Sequence, residues 1–267
     1  MAARGRPTPQ RESRAGPRDP AIDPDDPNAR PRFRDRLPEE MPNEAANPYL
    51  AAHRAYDDLL IPASEAWKHR DDWSAVFGRD APLHLEIGSG NGFFLTGLAQ
   101  HNPAWNLLGV ELRYKRTVIC ATKLRLAGVT NARIVRYHAG FLDDLLPPQS
   151  IEGLYVNHPD PWPKGRHEKN RLISRWFLED AARLLKPGGR FRLKSDFAPN
   201  VDRVAELLAE EGLPPLPFAI VGTSRDIVAD GAPWPDDIET NYQRKMRIKG
   251  VPVLAVDVIR TDAAFPA

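Results

Sequence analysis

Runs of apolar residues, separated by polar turns, recur along most of the chain at the lengths of strands and helices. Short apolar runs predict strands at residues 83–87, 106–110, 134–137, 153–156 and 191–193. Amphipathic runs between and after them predict helices at residues 92–100, 114–126, 172–185 and 201–208. Strands that alternate with crossover helices form a parallel sheet with helices on both faces. The pattern therefore predicts a doubly wound α/β domain.

The pattern changes at both ends of this alternating region. Between Pro48 and Phe77 apolar residues recur at three- and four-residue steps, so we predict an N-terminal helical segment over residues 48–78. The last two strand candidates, residues 218–221 and 253–259, have no long amphipathic helix between them and predict an antiparallel end to the sheet. The helix at 172–185 is predicted to end at the turn signal Lys186-Pro187-Gly188-Gly189.

Residues 1–47 differ in composition from the rest of the chain. They are rich in proline and in arginines interleaved with aspartates, and they hold almost no large apolar side chains. Such a segment cannot bury enough apolar surface to offset the entropy of ordering it. We therefore predict a disordered N-terminal tail over residues 1–47 and a single folded domain over residues 48–267.

Charge and cysteine content narrow the possible settings. The net charge is +1, so binding to a nucleic acid would have to come from local basic patches. Cys120 is the single cysteine, which excludes an internal disulfide and favours a reducing, cytoplasmic compartment. No apolar run reaches the length of a membrane span, and the scattered histidines predict no metal site. Monomer and homodimer both stay open.

A glycine-rich turn, Glu86-Ile87-Gly88-Ser89-Gly90-Asn91-Gly92, joins the first predicted strand to the first predicted helix. Binders of nicotinamide, flavin and S-adenosylmethionine all use such turns, because glycine lets the backbone approach a ligand closely. A pyrophosphate would be repelled by Glu86, whereas a sulfonium bearing an amino group would be attracted to it. Glu111 ends the next strand, where doubly wound nucleotide sites bind ribose hydroxyls.

The most specific segment follows the fourth predicted strand, at residues 157–172. It places Asp160 between two prolines and beside the indole of Trp162. A rigid acid next to a flat aromatic ring suits a planar base. The cationic residues after it suit phosphates; they are Lys164, Arg166, His167, Lys169 and Arg171.

Taken together, these motifs resemble the bacterial tRNA (guanine-N7)-methyltransferase family over roughly residues 80–260. The resemblance rests on the Glu-x-Gly-x-Gly-x-Gly turn, Glu111, the Pro-Asp-Pro-Trp-Pro-Lys block, Ser195-Asp196 and Thr240-Asn241-Tyr242-Gln243. It implies a Rossmann-like class I methyltransferase fold with a seven-stranded, mostly parallel sheet in the order 3-2-1-4-5-7-6. It also implies S-adenosylmethionine as the methyl donor and a guanine in the variable loop of tRNA as the acceptor.

The resemblance also implies roles for individual residues. Asp160 would lie at the catalytic centre. The cofactor would contact Glu86, Gly88, Gly90, Gly92, Glu111 and Asp160. The RNA substrate would contact Lys164, Arg166, Asp196, Thr240, Asn241, Tyr242 and Gln243.

Three features depart from the family pattern. Ala139 stands where the family usually has an acid that meets the adenine amino group, so another group, the backbone or packing must hold adenine. Gln243 replaces the usual glutamate of the C-terminal motif and keeps hydrogen bonding without the charge. Asn157-His158 replaces a more usual apolar or small pair before Pro159.

Three other functions stay open at this level. An amino methyltransferase acting on adenine carries an Asn/Asp-Pro-Pro-aromatic tetrad at the same strand end, but here the second proline is missing and a basic segment follows. An RNA-binding protein whose methyltransferase fold has lost its cofactor is compatible with Ala139. A nicotinamide dehydrogenase is disfavoured, because no proton-relay residue pairs with the glycine turn.

Overall fold

A computed structural model describes residues 48–165 and 170–265 of the chain. In this part of the chain eight strands form one sheet: β1 (Leu60–Ile61), β2 (Leu83–Ile87), β3 (Asn106–Glu111), β4 (Ala132–Arg136), β5 (Ile151–Asn157), β6 (Leu185–Ser195), β7 (Phe218–Ser224) and β8 (Leu254–Arg260). The α-helices are α1 (Pro48–Arg54), α2 (Ala63–Ala66), α3 (Trp73–Phe77), α4 (Phe93–His101), α5 (Tyr114–Leu126), α6 (Arg175–Leu184), α7 (Ala198–Leu208) and α8 (Asn241–Ile248). Residues Trp67–His69 and Ala139–Asp144 form 3₁₀ helices.

The strands lie in the order β1-β4-β3-β2-β5-β6-β8-β7. All neighbours from β1 to β6 are parallel, whereas β8 is antiparallel to both β6 and β7. When the strands are numbered from β2, the seven strands β2 to β8 have the order 3-2-1-4-5-7-6. The predicted doubly wound fold, its strand order and its antiparallel end are therefore confirmed, with one short strand added at the edge.

The structure corrects three details of the sequence prediction. The N-terminal segment is not continuously helical, because Leu60 pairs with Ile134 and joins the sheet as β1 between short helices. Helix α8 lies between β7 and β8; it is short, in keeping with the prediction of no long amphipathic helix there, but it was not itself predicted. Strand β6 begins at Leu185 and runs through the predicted turn signal, so it is far longer than residues 191–193.

Buried apolar side chains form two main clusters, separated by the sheet. Successive residues of a strand point to opposite faces, and accordingly Leu107 and Leu108 of β3 belong to different clusters. Helices α6 and α7 contribute to the larger cluster, and α4 and α5 to the other. This arrangement places helices on both faces and leaves the carboxyl ends of the strands as one edge.

That edge collects the polar residues singled out in the sequence. Ile87, Glu111 and Asn157 end β2, β3 and β5, which are adjacent and parallel, and Ser195 ends β6 beside them. Ligands of doubly wound sheets bind at this end of the strands. The predicted tail, residues 1–47, lies outside the described residues. Within the described ranges, no helix combines the length and apolar character that crossing a bilayer requires.

Candidate active site

A cleft of about 990 Å³ opens at the carboxyl ends of the central strands. Its wall includes eight of the predicted site residues: Glu86, Gly88, Gly90, Glu111, Asp160, Thr240, Asn241 and Tyr242. Four others are in described parts of the chain but do not line it: Gly92, Lys164, Asp196 and Gln243. Arg166 belongs to the undescribed residues 166–169. The fold therefore brings three elements around one space: the glycine turn, the start of α8, and residues 158–163 after β5, called the Asp160 loop.

The glycine turn needs glycine for two different reasons. Gly88 and Gly90 have φ angles of 72° and 54°, the left-handed region that other residues rarely occupy, and both line the cleft. Gly92, with φ 74°, begins α4 against α5, and a Cβ there would lie 2.6 Å from the Cys120 sulfur. Gly88 and Gly90 therefore leave room for a ligand, whereas Gly92 lets the two helices pack closely.

Glu86 is buried beneath this turn, at the end of β2. The Asn157 amide donates to its Oε1 atom at 3.2 Å, while its Oε2 atom is buried with no hydrogen-bond partner in the described part of the protein. Desolvation, with a smaller contribution from the nearby carboxylate of Glu111, raises the pKa of Glu86 to about 7 against the opposing effects of Asn157, Ser89 and Lys194. An unpaired buried carboxylate oxygen at this position fits a cationic N–H donor from a ligand.

Glu111 is held rigidly at the end of β3. Its Oε2 atom accepts a hydrogen bond from the Gly90 backbone N–H at 3.0 Å, and its Oε1 atom accepts one from the Arg113 N–H at 2.9 Å. A carboxylate has about four lone-pair positions, so both oxygens keep capacity for further donors. The geometry suits a pair of neighbouring hydroxyl groups, such as those of a ribose.

The residues after β4 form the part of the cleft wall where the family resembled by the sequence usually has an acid. Tyr137, His138 and Ala139 line the cleft here. The Nδ1 atom of His138 accepts a hydrogen bond from the Gly140 N–H at 3.0 Å, and the Tyr137 hydroxyl donates to Asp144 at 2.8 Å. These polar groups therefore stabilise the 3₁₀ helix, and Ala139 presents an apolar methyl to the cleft wall.

The Asp160 loop is held in an unusual backbone conformation. His158 and Trp162 have φ angles of 51° and 40°, which are uncommon for residues other than glycine. Neighbouring groups fix the loop: the His158 N–H donates to the Lys194 carbonyl at 2.7 Å, and the Asn200 amide donates to the Pro159 carbonyl at 3.3 Å. Strained backbone of this kind is kept at sites where it positions a functional group.

The carboxylate of Asp160 is exposed to the cleft. Among the described residues it makes no hydrogen bond and no ion pair, in contrast to Glu86 and Glu111. A free acceptor on a rigid loop can bind donors of an incoming substrate without first breaking an internal bond. The geometry of the loop therefore suits Asp160 to substrate recognition.

Asp196 lies beside the cleft and is tied to two residues that line it. The His158 Nδ1 atom lies 3.4 Å from one of its oxygens, and the Tyr242 hydroxyl donates to the other at 3.2 Å. Hydrogen bonding from His158 holds the pKa of Asp196 below its usual value, whereas burial lowers the pKa of His158. The His158 and Tyr242 rings also pack with centroids 4.6 Å apart. Asp196 thus fixes the side chain of Tyr242 at the wall.

The C-terminal motif divides between the cleft and the interior. Thr240 and Gln243 form a capping box at the start of α8, in which the Thr240 hydroxyl accepts from the Gln243 N–H at 2.8 Å. The Gln243 amide is buried, where it accepts from Lys194 at 3.0 Å and donates to Asp237 at 3.3 Å. Asn241 and Tyr242 line the cleft. The Gln243 side chain, for which a substrate contact was predicted, instead forms hydrogen bonds inside the protein.

Two residues that hold the site were not assigned such a role from the sequence. Asn157 pairs with Glu86, and Lys194 is a fully buried lysine at the end of β6. The sequence indicated that both residues lie at strand ends. It did not indicate their partners, because Glu86 is 71 residues from Asn157 and Asp237 is 43 residues from Lys194. Across residues 48–165 and 170–265, no cluster of three or more His, Cys, Asp and Glu side chains could hold a metal ion.

A sheet in this order, with a glycine-rich turn, two strand-end acids and a cleft at its carboxyl edge, defines the class I methyltransferase architecture. A family model described as "Putative methyltransferase" matches residues 80–255. The chain belongs to this methyltransferase family, and it is also similar over most of its length to proteins named tRNA (guanine-N(7)-)-methyltransferase. The family membership inferred from the motifs is therefore confirmed.

Three of these relatives show the extent of the similarity. The protein of Bacillus licheniformis is 30% identical over 212 residues, which cover 79% of this chain and 94% of that protein. The protein of Bacillus subtilis is 30% identical over 207 residues, covering 76% and 94%. The protein of Streptococcus thermophilus is 36% identical over 153 residues, covering 57% and 70%.

Solved structures share the fold at lower identity. The structure titled 16S rRNA Methyltranferase KamB aligns with a TM-score of 0.51 at 18% identity, covering 72% of this chain and 94% of that one. An antibiotic-related methyltransferase aligns with a TM-score of 0.50 at 16% identity, covering 71% and 92%. These similarities bear on the architecture alone.

Proposed function

We propose that this chain transfers a methyl group from S-adenosylmethionine to N7 of a guanine in the variable loop of tRNA. The relatives named for this activity support the proposal, and one structural observation carries it. The cleft contains two carboxylates: that of Glu86 is buried with one oxygen lacking a hydrogen-bond partner, and that of Asp160 is exposed. The Glu86 carboxylate suits a cationic methyl donor, and the Asp160 carboxylate suits the hydrogen-bonding edge of a base.

The residues at the carboxyl ends of β2 and β3 fit S-adenosylmethionine. The unpaired Oε2 atom of Glu86 would accept from its amino group, and the free lone pairs of Glu111 would accept from the ribose hydroxyls. Gly88 and Gly90 leave space for close approach of the ligand. Ala139 cannot accept from adenine, so packing in the pocket and backbone groups would hold that ring. The cofactor supplies an electrophilic methyl group on a cationic sulfur.

Asp160 would act on the acceptor base. Guanine N7 carries a free lone pair at neutral pH, so the reaction needs alignment and exclusion of water rather than a strong base. The Asp160 carboxylate would accept from the N1–H and the amino group of guanine, which fixes the base in the cleft. It would also stabilise the positive charge that methylation leaves on the purine. Adenine lacks this pair of donors, so the same contact selects guanine.

Basic residues near the Asp160 loop would hold the RNA backbone. Lys164 is exposed just after this loop, and Arg166 follows it in the sequence. Contacts from such residues to phosphates fix the register of the RNA without reading its sequence. Tyr242, held by Asp196, and Asn241 would contact the nucleotide from the α8 side. We further propose that residues 48–267 form the catalytic domain and that the protein works in the cytoplasm, where tRNA is found.

Product analysis tests this proposal directly. The purified protein is incubated with unmodified tRNA and methyl-labelled S-adenosylmethionine, and the digested nucleosides are identified by mass spectrometry. The proposal predicts 7-methylguanosine as the labelled product. N6-methyladenosine would assign the cleft to an adenine amino methyltransferase. Failure to bind S-adenosylmethionine in calorimetry would instead indicate an RNA-binding relative without catalysis.

A further inference from the structure

Lys194 is a buried lysine whose ammonium group is fully engaged. Its side chain is only 1% exposed. The Nζ atom donates to Asp237 Oδ1 at 2.9 Å, to the Ile238 carbonyl at 2.8 Å and to Gln243 Oε1 at 3.0 Å. An ammonium group has three donors, so all three are used. Burying a lysine is costly unless it is paired in this way, which indicates that its partners are held firmly.

The three partners of Lys194 lie in the segment that leads into α8 and in the first turn of that helix. Asp237 also accepts from the Trp234 indole at 3.1 Å and from the Gln243 amide at 3.3 Å. Gln243 completes the capping box with Thr240. The ammonium group is therefore the point from which the start of α8, with its cleft-lining residues, is fastened to the sheet.

The backbone of Lys194 holds a second element of the site. Its carbonyl accepts from the His158 N–H at 2.7 Å, at the residue where the Asp160 loop leaves β5. Lys194 is the register partner of Asn157, which in turn pairs with Glu86. Lys194 is thus bonded to the Asp160 loop through its backbone and to the start of α8 through its side chain.

We propose that Lys194 is a positioning residue that sets the Asp160 loop and the first turn of α8 in the arrangement that receives the acceptor base. The idea rests on the proposed function of the cleft. It differs from a purely structural role because both elements that it holds line the acceptor part of the site. Loss of its side chain would release the α8 side while leaving the backbone bond to His158 in place.

The charge of Lys194 also acts on the cofactor side. It lowers the pKa of Glu86, in the same direction as hydrogen bonds from Asn157 and Ser89 and against the effects of burial and of Glu111. Cys120, on α5, adds no charge because burial raises the pKa of its thiol well above its usual value. Without the Lys194 cation, Glu86 would keep its proton to a higher pH. Cofactor binding would then weaken at a pH where the wild type still binds well.

The test compares Lys194→Met with the full-length wild type. Methionine keeps an unbranched stem and removes the three donors. We expect the KM for tRNA to rise about tenfold, because the α8 contacts lose their alignment. In calorimetry at pH 6 and pH 7.5, the ratio of the two S-adenosylmethionine affinities should exceed the wild-type ratio, because more of Glu86 stays protonated at pH 6 once the cation is removed. The control is Lys186→Met, which removes a partly exposed lysine of β6 that pairs with Glu152.

A second variant keeps the test informative if Lys194→Met does not fold. Gln243→Met removes one partner of the ammonium group and leaves its charge. We expect a higher KM for tRNA with unchanged cofactor affinity, and a non-additive effect when it is combined with Lys194→Met.

An unchanged tRNA KM in both variants, or an unchanged ratio of cofactor affinities between pH 7.5 and pH 6 in a folded Lys194→Met protein, would overturn the inference. If the wild type binds cofactor but methylates no tRNA, the proposed function fails, while the change in that ratio still tests Lys194.

Discussion

The affinity for S-adenosylmethionine should depend on pH through Glu86. The pKa of this buried carboxyl is raised to about 7, chiefly by desolvation. Its ionised form is the one that pairs with an ammonium group, so protonation removes the binding-competent state. If binding requires the ionised form, the apparent Kd increases by the reciprocal of the ionised fraction, and affinity should be about eightfold weaker at pH 6 than at pH 7.5.

Glu86→Gln supplies the matched perturbation. Glutamine keeps the shape and can still meet Asn157, but it carries no charge at any pH. Affinity at pH 7.5 should fall by about 2 kcal/mol, the scale of a charge-assisted hydrogen bond, and the pH dependence should disappear. Calorimetric titration at both pH values measures this, with the exposed Glu206→Gln on α7 as the control. The upper limit of pH 7.5 keeps the comparison below the pKa of an α-amino group, about 7.7–8.0, so that most of this group stays protonated.

One result would refute this reasoning. An affinity that stays constant between pH 6 and pH 7.5 in the wild type would mean that Glu86 does not receive the cofactor amino group. The same conclusion would follow if Glu86→Gln kept the full pH dependence, because another group would then be responsible for it.

Three further changes have expected outcomes. Asp160→Asn should lower kcat/KM for tRNA by about a hundredfold or more, with cofactor affinity unchanged in calorimetry, since the carboxylate acts on the base; a similar loss of cofactor affinity would contradict that assignment. Lys164→Ala combined with Arg166→Ala should reduce the slope of log tRNA affinity against log salt by about 1.5, and an unchanged slope in a filter-binding series would place the RNA elsewhere. Gly92→Ala should destabilise the protein by about 2 kcal/mol in denaturant titration, from its positive φ and the contact with Cys120; Cys120→Ala should restore part of this loss, and no loss at all would refute the packing argument.

The parts of the fold that follow from local pattern could be predicted from the sequence. Strand β2 and helix α5 have the predicted bounds, because β2 is a short run that is buried throughout and α5 is a long run that buries one face. Strand β1 could not be predicted in this way, since two residues become a strand only through pairing with β4. Helix α8 is short and mostly polar, and its start is stabilised by the capping box and by Lys194.

The residues of the candidate site likewise divide into those indicated by local sequence and those that depend on tertiary packing. Glu86, Glu111 and Asp160 stand beside motifs whose local geometry, a glycine turn or a proline-bounded loop, already indicates a ligand. Lys194 gave no such signal, because a lysine at a strand end is usually solvated and its burial depends on Asp237, which is 43 residues away. Gln243 illustrates the converse case. Its motif suggested contact with the substrate, but tertiary packing turns its amide towards the interior.

The most direct test of the central claim uses the atom to which the methyl group is transferred. Two tRNA substrates are compared in single-turnover assays with labelled S-adenosylmethionine: one has guanine at the acceptor position of the variable loop, and the other has 7-deazaguanine there. Asp160 would bind both bases through the same edge, so both tRNAs should bind equally well. We predict that only the guanine substrate becomes labelled, as 7-methylguanosine. Methylation of the 7-deazaguanine tRNA at a comparable rate would contradict the account.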